Sequence, residues 1–263
     1  MSQDTRHILV VGDNLNLPKH IQEETIPTRK FDCVVTSPPY KHDPGNGHMD
    51  GMGYSQYHLE HLSQNLKGRL HGPAWVNFGD LAGQMSRSPN VAATFGTNGF
   101  SWIQTIIWAK HYEGKGQFTP VRGEKRFNPT HEYIFLLVPN TWTNKYRLDR
   151  LAVGVPYSDK ANIKRFKHDV DLRCPGTVWF IPYETIQKGE EKGHPCRFPV
   201  ELPRRCLKAT KMGNDPWVLD PFAGSGTTML AAKELGINSV GYEIDERMVD
   251  VIVKRIPEVE VIE

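Results

Sequence analysis

The sequence predicts an α/β domain built on a doubly wound sheet with helices on both faces. Strand-length apolar runs rich in Val, Ile and aromatic residues recur along the chain, and most lack polar alternation, as expected for strands covered on both faces. Helical patterns lie between several of these runs, and one run leads into a glycine-rich turn and then a helix. At 263 residues the chain is long enough for one core of this kind.

The elements follow from the pattern in chain order. Leu59, Leu62, Leu66 and Leu70 recur at helical spacing, and the run 227–235 ends before Gly236, a typical helix stop. A last helix is predicted over 244–255. The predicted strands are 8–11, 31–35, 74–78, 103–108, 133–138, 217–219 and 239–242.

Composition narrows the class of protein less than the motifs do. A formal net charge of +2 indicates no partner by itself. Cys33, Cys174, Cys196 and Cys206 form no C-x-x-C pair and no zinc spacing, so we expect reduced thiols and no metal. The N-terminus lacks a secretory pattern and the longest apolar runs are strand-sized, which predicts a cytoplasmic protein with no membrane partner.

Positive charge is concentrated in two neighbouring segments. Residues 140–176 carry eight basic residues against four acidic, and residues 110–131 carry five against two. One such segment alone is more often a solvated surface, but two adjacent ones favour a face that binds a polyanion. We expect phosphate contacts from the basic residues near 110–126 and base readout from 140–176. The predicted DNA-binding residues are Lys110, Lys115, Arg122, Lys125, Arg126, Lys145, Arg147, Arg150, Lys164, Arg165 and Lys167.

A cofactor site is predicted where strand 217–220 enters the turn with Gly224 and Gly226 and then a helix. The turn lacks the Gly-Lys-Ser/Thr of a phosphate loop and the third glycine of a dinucleotide fingerprint. A lone G-x-G is structural as often as functional, and Glu243 could simply be an acid before a helix. Because Glu243 ends the next strand, however, it is placed to accept both ribose hydroxyls. This arrangement favours a nucleoside cofactor without a pyrophosphate, of which S-adenosylmethionine is the obvious one.

The second site is predicted at Ser37-Pro38-Pro39-Tyr40, directly after the buried strand 31–35. The two prolines remove two N–H donors, so this rigid stretch presents the Ser37 hydroxyl and carbonyl oxygens as acceptors for an exocyclic amino group. Tyr40 supplies a ring on which a flat base can stack. A proline-rich docking peptide is the alternative, but such a peptide would not follow a buried strand. The four glycines of 41–53 predict a mobile loop next to it.

Together these motifs resemble the amino-methylating DNA methyltransferases. Thr-Ser-Pro-Pro-Tyr at 36–40 preceding Asp-Pro-Phe-Ala-Gly-Ser-Gly-Thr-Thr at 220–228 resembles the order of their β group. The resemblance extends to the segments 12–13, 77–80, 107–110, 130–133 and 194–199.

That resemblance implies the Rossmann-like, seven-stranded mixed sheet of the class I SAM-dependent methyltransferases. The chain would be a circular permutation with a target-recognition insertion. Residues 1–139 would be the catalytic part, 140–193 the target-recognition region, and 194–263 the SAM-binding part of the same domain. The resemblance places Ser37, Pro38, Pro39 and Tyr40 at the target base. It assigns to the cofactor Asp13, His194, Phe198, Pro199, Asp220, Pro221, Phe222, Gly224, Ser225, Gly226, Thr227, Thr228 and Glu243.

Two details of the sequence indicate which base is methylated. The family's adenine-N6 members usually carry Asp or Asn at the position of Ser37 and Lys-Pro at that of Phe198-Pro199, so the chain resembles the cytosine-N4 members. The implied reaction is direct methyl transfer from S-adenosylmethionine to N4 of a flipped cytosine in double-stranded DNA, with S-adenosylhomocysteine as product. A restriction-modification setting implies a cognate restriction endonuclease as a second partner.

Other readings stay open. Adenine N6 is the alternative base. A methyltransferase acting on a glutamine amide or an RNA base usually has the opposite motif order and lacks a large basic insertion. A catalytically silent DNA-binding module would not need both Ser37 and the two glycines of the turn.

Overall fold

The structure is a computed structural model that describes residues 5–39, 54–79, 87–112, 114–116, 127–165, 170–182 and 198–263. Its strands are β1 His7–Val11, β2 Cys33–Thr36, β3 Ala74–Phe78, β4 Phe100–Ala109, β5 His111–Tyr112, β6 Lys115–Gly116, β7 His131–Pro139, β8 Val178–Phe180, β9 Trp217–Asp220, β10 Asn238–Glu243 and β11 Glu260–Ile262. Its helices are α1 Leu17–Gln22, α2 Tyr54–Leu66, α3 Arg87–Thr97, α4 Ala161–Arg165, α5 Glu201–Ala209, α6 Thr227–Glu234 and α7 Arg247–Arg255.

The described strands form one nine-stranded sheet in the order β11-β1-β10-β9-β2-β3-β7-β4-β8, and β5 and β6 form a separate hairpin. All pairings in the large sheet are parallel except those of β7, which runs antiparallel to both β3 and β4. Mixed sheets of this kind commonly carry one antiparallel strand near an edge.

The seven predicted strands are all present, and the sheet has two more. The additions are β8 and β11, which lie at the two edges and are three residues long each. Both are short and contain exposed residues, unlike the longer buried runs that marked the predicted strands. The count of seven was therefore too low.

The first strand of the chain lies beside strands from its end. β1 pairs with β10 on one side and with β11 on the other, with Val11 opposite Glu243. This neighbour relation is the one that a circularly permuted chain requires.

Helices cover both faces of the sheet. On one face α1, α2 and α3 pack Leu17, Leu62 and Phe95 against β1, β2 and β3. On the other face α5, α6 and α7 bury Leu202, Met229 and Ile252. Burying apolar surface on two faces of a buried sheet is the main stabilising contribution to such a fold.

Within the described part of the chain, no helix is both long and apolar enough to cross a bilayer. The cysteines described there, Cys33, Cys174 and Cys206, are free thiols. Burial raises the pKa of the Cys33 thiol to about 12, which makes it an unreactive core residue.

Candidate active site

The site begins where two neighbouring parallel strands end. β2 lies between β9 and β3, so Ser37 and Pro221 leave the sheet side by side at its carboxyl edge. A buried hydrogen bond joins the two motifs, because the Thr36 Oγ1 hydroxyl donates to Asp220 Oδ1 at 2.7 Å. The two motifs therefore follow adjacent strands of the sheet. Ligands of open α/β sheets bind at this edge.

Asp220 is the buried carboxylate of this junction, with 2% of its surface exposed. Besides Thr36 it accepts a hydrogen bond from the Phe222 N–H at 3.1 Å, which shapes the first turn after β9. Burial raises the pKa of Asp220 to about 6, since taking a carboxylate out of water disfavours its charged form.

The glycine-rich turn needs its glycines for two different reasons. Gly224 and Gly226 have φ of +54° and +73°, the left-handed region that other residues rarely adopt. A side chain at Gly226 would also lie 3.0 Å from Ile252 Cγ1 of α7. At Gly224, in contrast, an added Cβ would meet nothing within 4 Å, so open space lies against the turn there. Backbone can therefore approach a ligand at Gly224, while Gly226 sets the entry into α6.

Glu243 reaches the turn from the end of β10. Its Oε2 accepts the Gly224 N–H at 2.6 Å and its Oε1 accepts the Asp245 N–H at 2.8 Å. Burial raises its pKa to about 7, even though both hydrogen bonds favour the charged form. This carboxylate is able to accept further hydrogen bonds from hydroxyl groups, because each oxygen has two lone pairs.

Asp13 follows β1 at the same edge. Gly12, just before it, donates its N–H to the Glu243 carbonyl at 2.8 Å. Asp13 itself caps the 3-10 turn Asn14–Asn16, accepting the Leu15 N–H at 2.9 Å. The structure therefore brings Asp13, Asp220 and Glu243 to one edge, as predicted.

A chain of hydrogen bonds orients Ser37 at the end of β2. The Asn77 amide nitrogen donates to the Tyr133 carbonyl at 3.1 Å, so its amide oxygen faces Ser37. The Ser37 hydroxyl donates to this oxygen at 3.3 Å, a long hydrogen bond. Since Asn77 is a buried residue of β3, the sheet fixes the direction of the Ser37 hydroxyl.

The Phe198-Pro199 pair lies in the protein interior. Both residues are buried, and Phe198 packs in the core cluster with Val35, Trp75 and Leu202. A direct contact with the cofactor remains a prediction. Tyr40, His194 and the loop 41–53 lie outside the described residues, as do Arg122, Lys125, Arg126 and Lys167.

The two basic segments leave the sheet at opposite edges. Residues 110–130 connect the end of β4 to the start of β7, and both points lie at the carboxyl edge beside Ser37. Lys115 lies in this connection, in the hairpin strand β6. Lys110 is only 17% exposed and forms an ion pair with Glu132, so it is packed against the sheet at the point where the segment begins.

The insertion 140–176 leaves the sheet after β7 at the amino edge, where Pro139 is paired with Phe100 at the start of β4. It returns at β8, whose first residue, Val178, is paired with Ile107 near the carboxyl end of β4. Trp142 stacks on His71, which precedes β3, and Lys211, which precedes β9, donates its N–H to the Arg147 carbonyl. The structure therefore does not bring Lys145 and Arg147 together with Ser37. Arg150, Lys164 and Arg165 are exposed in the same insertion.

Sequence reasoning missed two residues of the site. Asn77 was recognised only as part of a motif, although a polar residue near the end of a buried strand is itself a signal. Arg255 of α7 donates from Nη1 to the Ser225 carbonyl and, at 3.1 and 3.2 Å, to Ser225 Oγ and Thr227 Oγ1. It braces the glycine-rich turn from outside, and nothing in its local sequence indicates this contact.

The fold and the residues at the carboxyl edge of the sheet define a class of protein. Residues 31–254 match the family model of the N6 and N4 DNA methylases, described as DNA methylase. The match covers most of the chain, and the protein therefore belongs to the DNA methylase family.

Individual relatives agree with this assignment. The Type II methyltransferase M.ScaI of Streptomyces caespitosus is 30% identical over 262 residues, covering 95% of this chain and 81% of the relative. M.SmaI of Serratia marcescens, also a Type II methyltransferase, is 29% identical over 290 residues, covering 94% and 90%.

Solved structures show the same fold at lower identity. The PvuII DNA methyltransferase (cytosine-N4-specific) has a TM-score of 0.64 at 17% identity and covers 98% of this chain and 95% of its own. TTHA0409 of Thermus thermophilus, a putative DNA modification methylase solved with S-adenosyl-L-methionine, has a TM-score of 0.62 at 24% identity, covering 98% and 100%.

Proposed function

We propose that the protein transfers a methyl group from S-adenosylmethionine to the exocyclic N4 of a flipped cytosine in double-stranded DNA. Transfer is direct, with no covalent enzyme intermediate, and the setting is restriction-modification with a cognate endonuclease, as the Type II relatives suggest. The observation that carries the proposal is the buried hydrogen bond from Thr36 to Asp220, because it fixes the amino-group site beside the cofactor turn.

The residues present fit this cofactor. Open space lies against Gly224, and the Glu243 carboxylate is at the strand end where ribose hydroxyls are bound in such folds. S-adenosylmethionine supplies the methyl group when it is bound. A solved neighbour contains the same molecule, which supports its use here.

The direction of the Ser37 hydroxyl determines its role. Because its proton faces the Asn77 amide oxygen, the Ser37 oxygen is oriented as an acceptor for the amino hydrogens of the target base. Accepting them positions the amino nitrogen for in-line attack on the methyl carbon. As an amide oxygen is a very weak base, Asn77 does not relay a proton, and we infer that the proton lost from the methylated nitrogen leaves to water.

The choice of cytosine rests on residue type. Ser37 and Phe198-Pro199 resemble the cytosine-N4 pattern, and a structural neighbour of the same fold is named as cytosine-N4-specific. Because the family includes both N6 and N4 enzymes, adenine is the other outcome that an experiment must distinguish.

We assign the DNA-facing side to the carboxyl edge. The two ends of the segment 110–130 lie at that edge, and we propose that its basic residues contact the phosphates of the substrate duplex. Tyr40 is proposed as the ring against which the flipped base stacks.

The identity of the methylated base is the direct test. We expect N4-methylcytosine when DNA is incubated with the protein and S-adenosylmethionine, digested to nucleosides and analysed by mass spectrometry. Finding only N6-methyladenine would overturn the cytosine assignment. Methylation of neither base, with cofactor bound, would overturn the proposed activity.

Cofactor affinity should depend on pH through Glu243. Its pKa of about 7 means that the carboxylate, which accepts ribose hydroxyls best when ionised, forms as pH rises. We expect affinity measured by calorimetry to increase between about pH 6 and 8, and Glu243→Gln to flatten this increase. An unchanged pH dependence in that variant would contradict the ribose role.

The stability of the cofactor-free protein should move the opposite way. The pKa of Glu243 is raised from 4.5 on folding, so its contribution to stability is complete below pH 4.5 and is lost as pH rises through about 7. Thermal unfolding without cofactor over this window provides the comparison, with Glu243→Gln removing that part of the dependence.

A further inference from the structure

The amino edge of the sheet carries a second basic surface, away from Ser37. Four exposed cations from three segments make it up, and we call it the amino-edge surface: Lys30, Lys145, Arg147 and Lys211.

Backbone and ring contacts bring these segments together. The Lys211 N–H donates to the Arg147 carbonyl at 3.1 Å, joining the insertion to the segment after α5. Trp142 stacks on His71 with ring centroids 4.9 Å apart, and Lys145 Nζ lies 5.4 Å from the centre of the Trp142 ring. The His71 N–H in turn donates to the Phe31 carbonyl, beside Lys30.

The cations of this surface are not held in ion pairs with described residues. Two carboxylates lie near the surface and offset part of its positive charge: Asp32 accepts the Trp217 N–H, and Asp149 accepts those of Leu151 and Ala152. The pKa of His71 is lowered, first by burial and then by Lys30 and Lys145, while Asp32 acts in the opposite direction.

The position of the surface limits what it can bind. Five residues of β3 separate it from the carboxyl edge, about 17 Å at the usual rise per residue, and the two edges face opposite directions. A single straight duplex cannot contact both. Clustered exposed cations that form no salt bridge with a described residue are the expected footprint of a nucleic-acid backbone.

We propose that the amino-edge surface binds the phosphate backbone of a second DNA segment, distinct from the duplex whose base is methylated. Such a contact would let one molecule bridge two duplexes, which favours transfer between segments during the search for a site. The proposal adds a contact to the proposed function and does not depend on which base is methylated.

A charge-reversal pair tests this proposal. In Lys145→Glu/Lys211→Glu two cations of the surface are reversed, and Lys19→Glu/Lys233→Glu provides a control with the same change of net charge at exposed or half-buried positions elsewhere. Capture of a fluorescent duplex by protein bound to an immobilised duplex measures bridging. We expect about fivefold less bridging in the first variant and a salt dependence reduced by about two phosphate contacts, while the control retains both.

Methyl transfer to plasmid DNA is measured in parallel, with unfolding curves to confirm the fold. Because bridging is read without methylation, failure of the proposed activity would not affect this test. The proposal is overturned if wild-type protein does not bridge duplexes or if the two variants bridge equally. It is also overturned if Lys145→Glu/Lys211→Glu, correctly folded, loses methylation of limiting DNA as strongly as bridging, since the surface would then contact the substrate duplex.

Discussion

The Ser37→Ala variant is expected to lose methyl transfer by roughly 10²- to 10³-fold while binding the cofactor with unchanged affinity. The change removes the oxygen that accepts the target amino hydrogens, an interaction that strengthens as the nitrogen attacks. The cofactor turn should be unaffected, because the bond from Thr36 to Asp220 does not involve Ser37. Single-turnover methylation and calorimetry with the cofactor measure the two effects separately.

Two further variants separate chemistry from folding. Ser37→Thr keeps a hydroxyl and should retain part of the activity. Asn77→Leu removes the acceptor that orients Ser37 and should reduce the rate while Ser37 is still present. Wild-type turnover in Ser37→Ala would exclude Ser37 from the reaction, and equal loss of cofactor binding would mean that it supports the turn instead.

Substitution of Gly226 should have the largest effect on stability. In Gly226→Val, a β-branched residue must adopt a φ of +73° and its Cβ must fit 3.0 Å from Ile252. Backbone strain and overpacking together should lower the free energy of unfolding by about 3 kcal/mol. We therefore expect the melting temperature to fall by roughly 10 °C and cofactor binding to be lost.

Gly236→Val is the matched control. Gly236 has a similar φ of +67°, but an added Cβ there would meet nothing within 4 Å, and it lies after α6, away from the turn. Gly236→Val should lose only the part of the unfolding free energy that backbone strain accounts for, and it should bind the cofactor normally. If both variants lost the same unfolding free energy and both bound the cofactor, the contact between the turn and α7 would contribute neither to stability nor to cofactor binding.

Most of the fold was predictable because the buried strands are continuous apolar runs. The edge strands β8 and β11 were not, since each is only three residues long and is defined by its pairing with one neighbour. The helix predicted from the leucine spacing ends at Leu66, and Leu70 instead forms a bridge with Phe31. Helix ends depend on such tertiary contacts.

The site was predictable where function is concentrated in short motifs. Ser37, Asp220 and Glu243 follow strands, so their convergence follows from the topology of a parallel sheet. Arg255 was not, because its contact with Ser225 depends on how α7 packs. The placement of Lys145 and Arg147 was also missed, since charge count does not reveal the edge of the sheet at which an insertion is rooted.

The position of β1 has a consequence for how the molecule is made. β1 is synthesised before every other described strand, yet its described partners in the sheet are β10 and β11, which follow all the others. Until they arrive, an apolar strand has two unpaired edges, a state prone to aggregation. The buried contact between Thr36 and Asp220, 184 positions apart, forms only once β9 has been synthesised, and Glu243 joins the same edge with β10. The site at this edge is therefore incomplete until β10 has been translated.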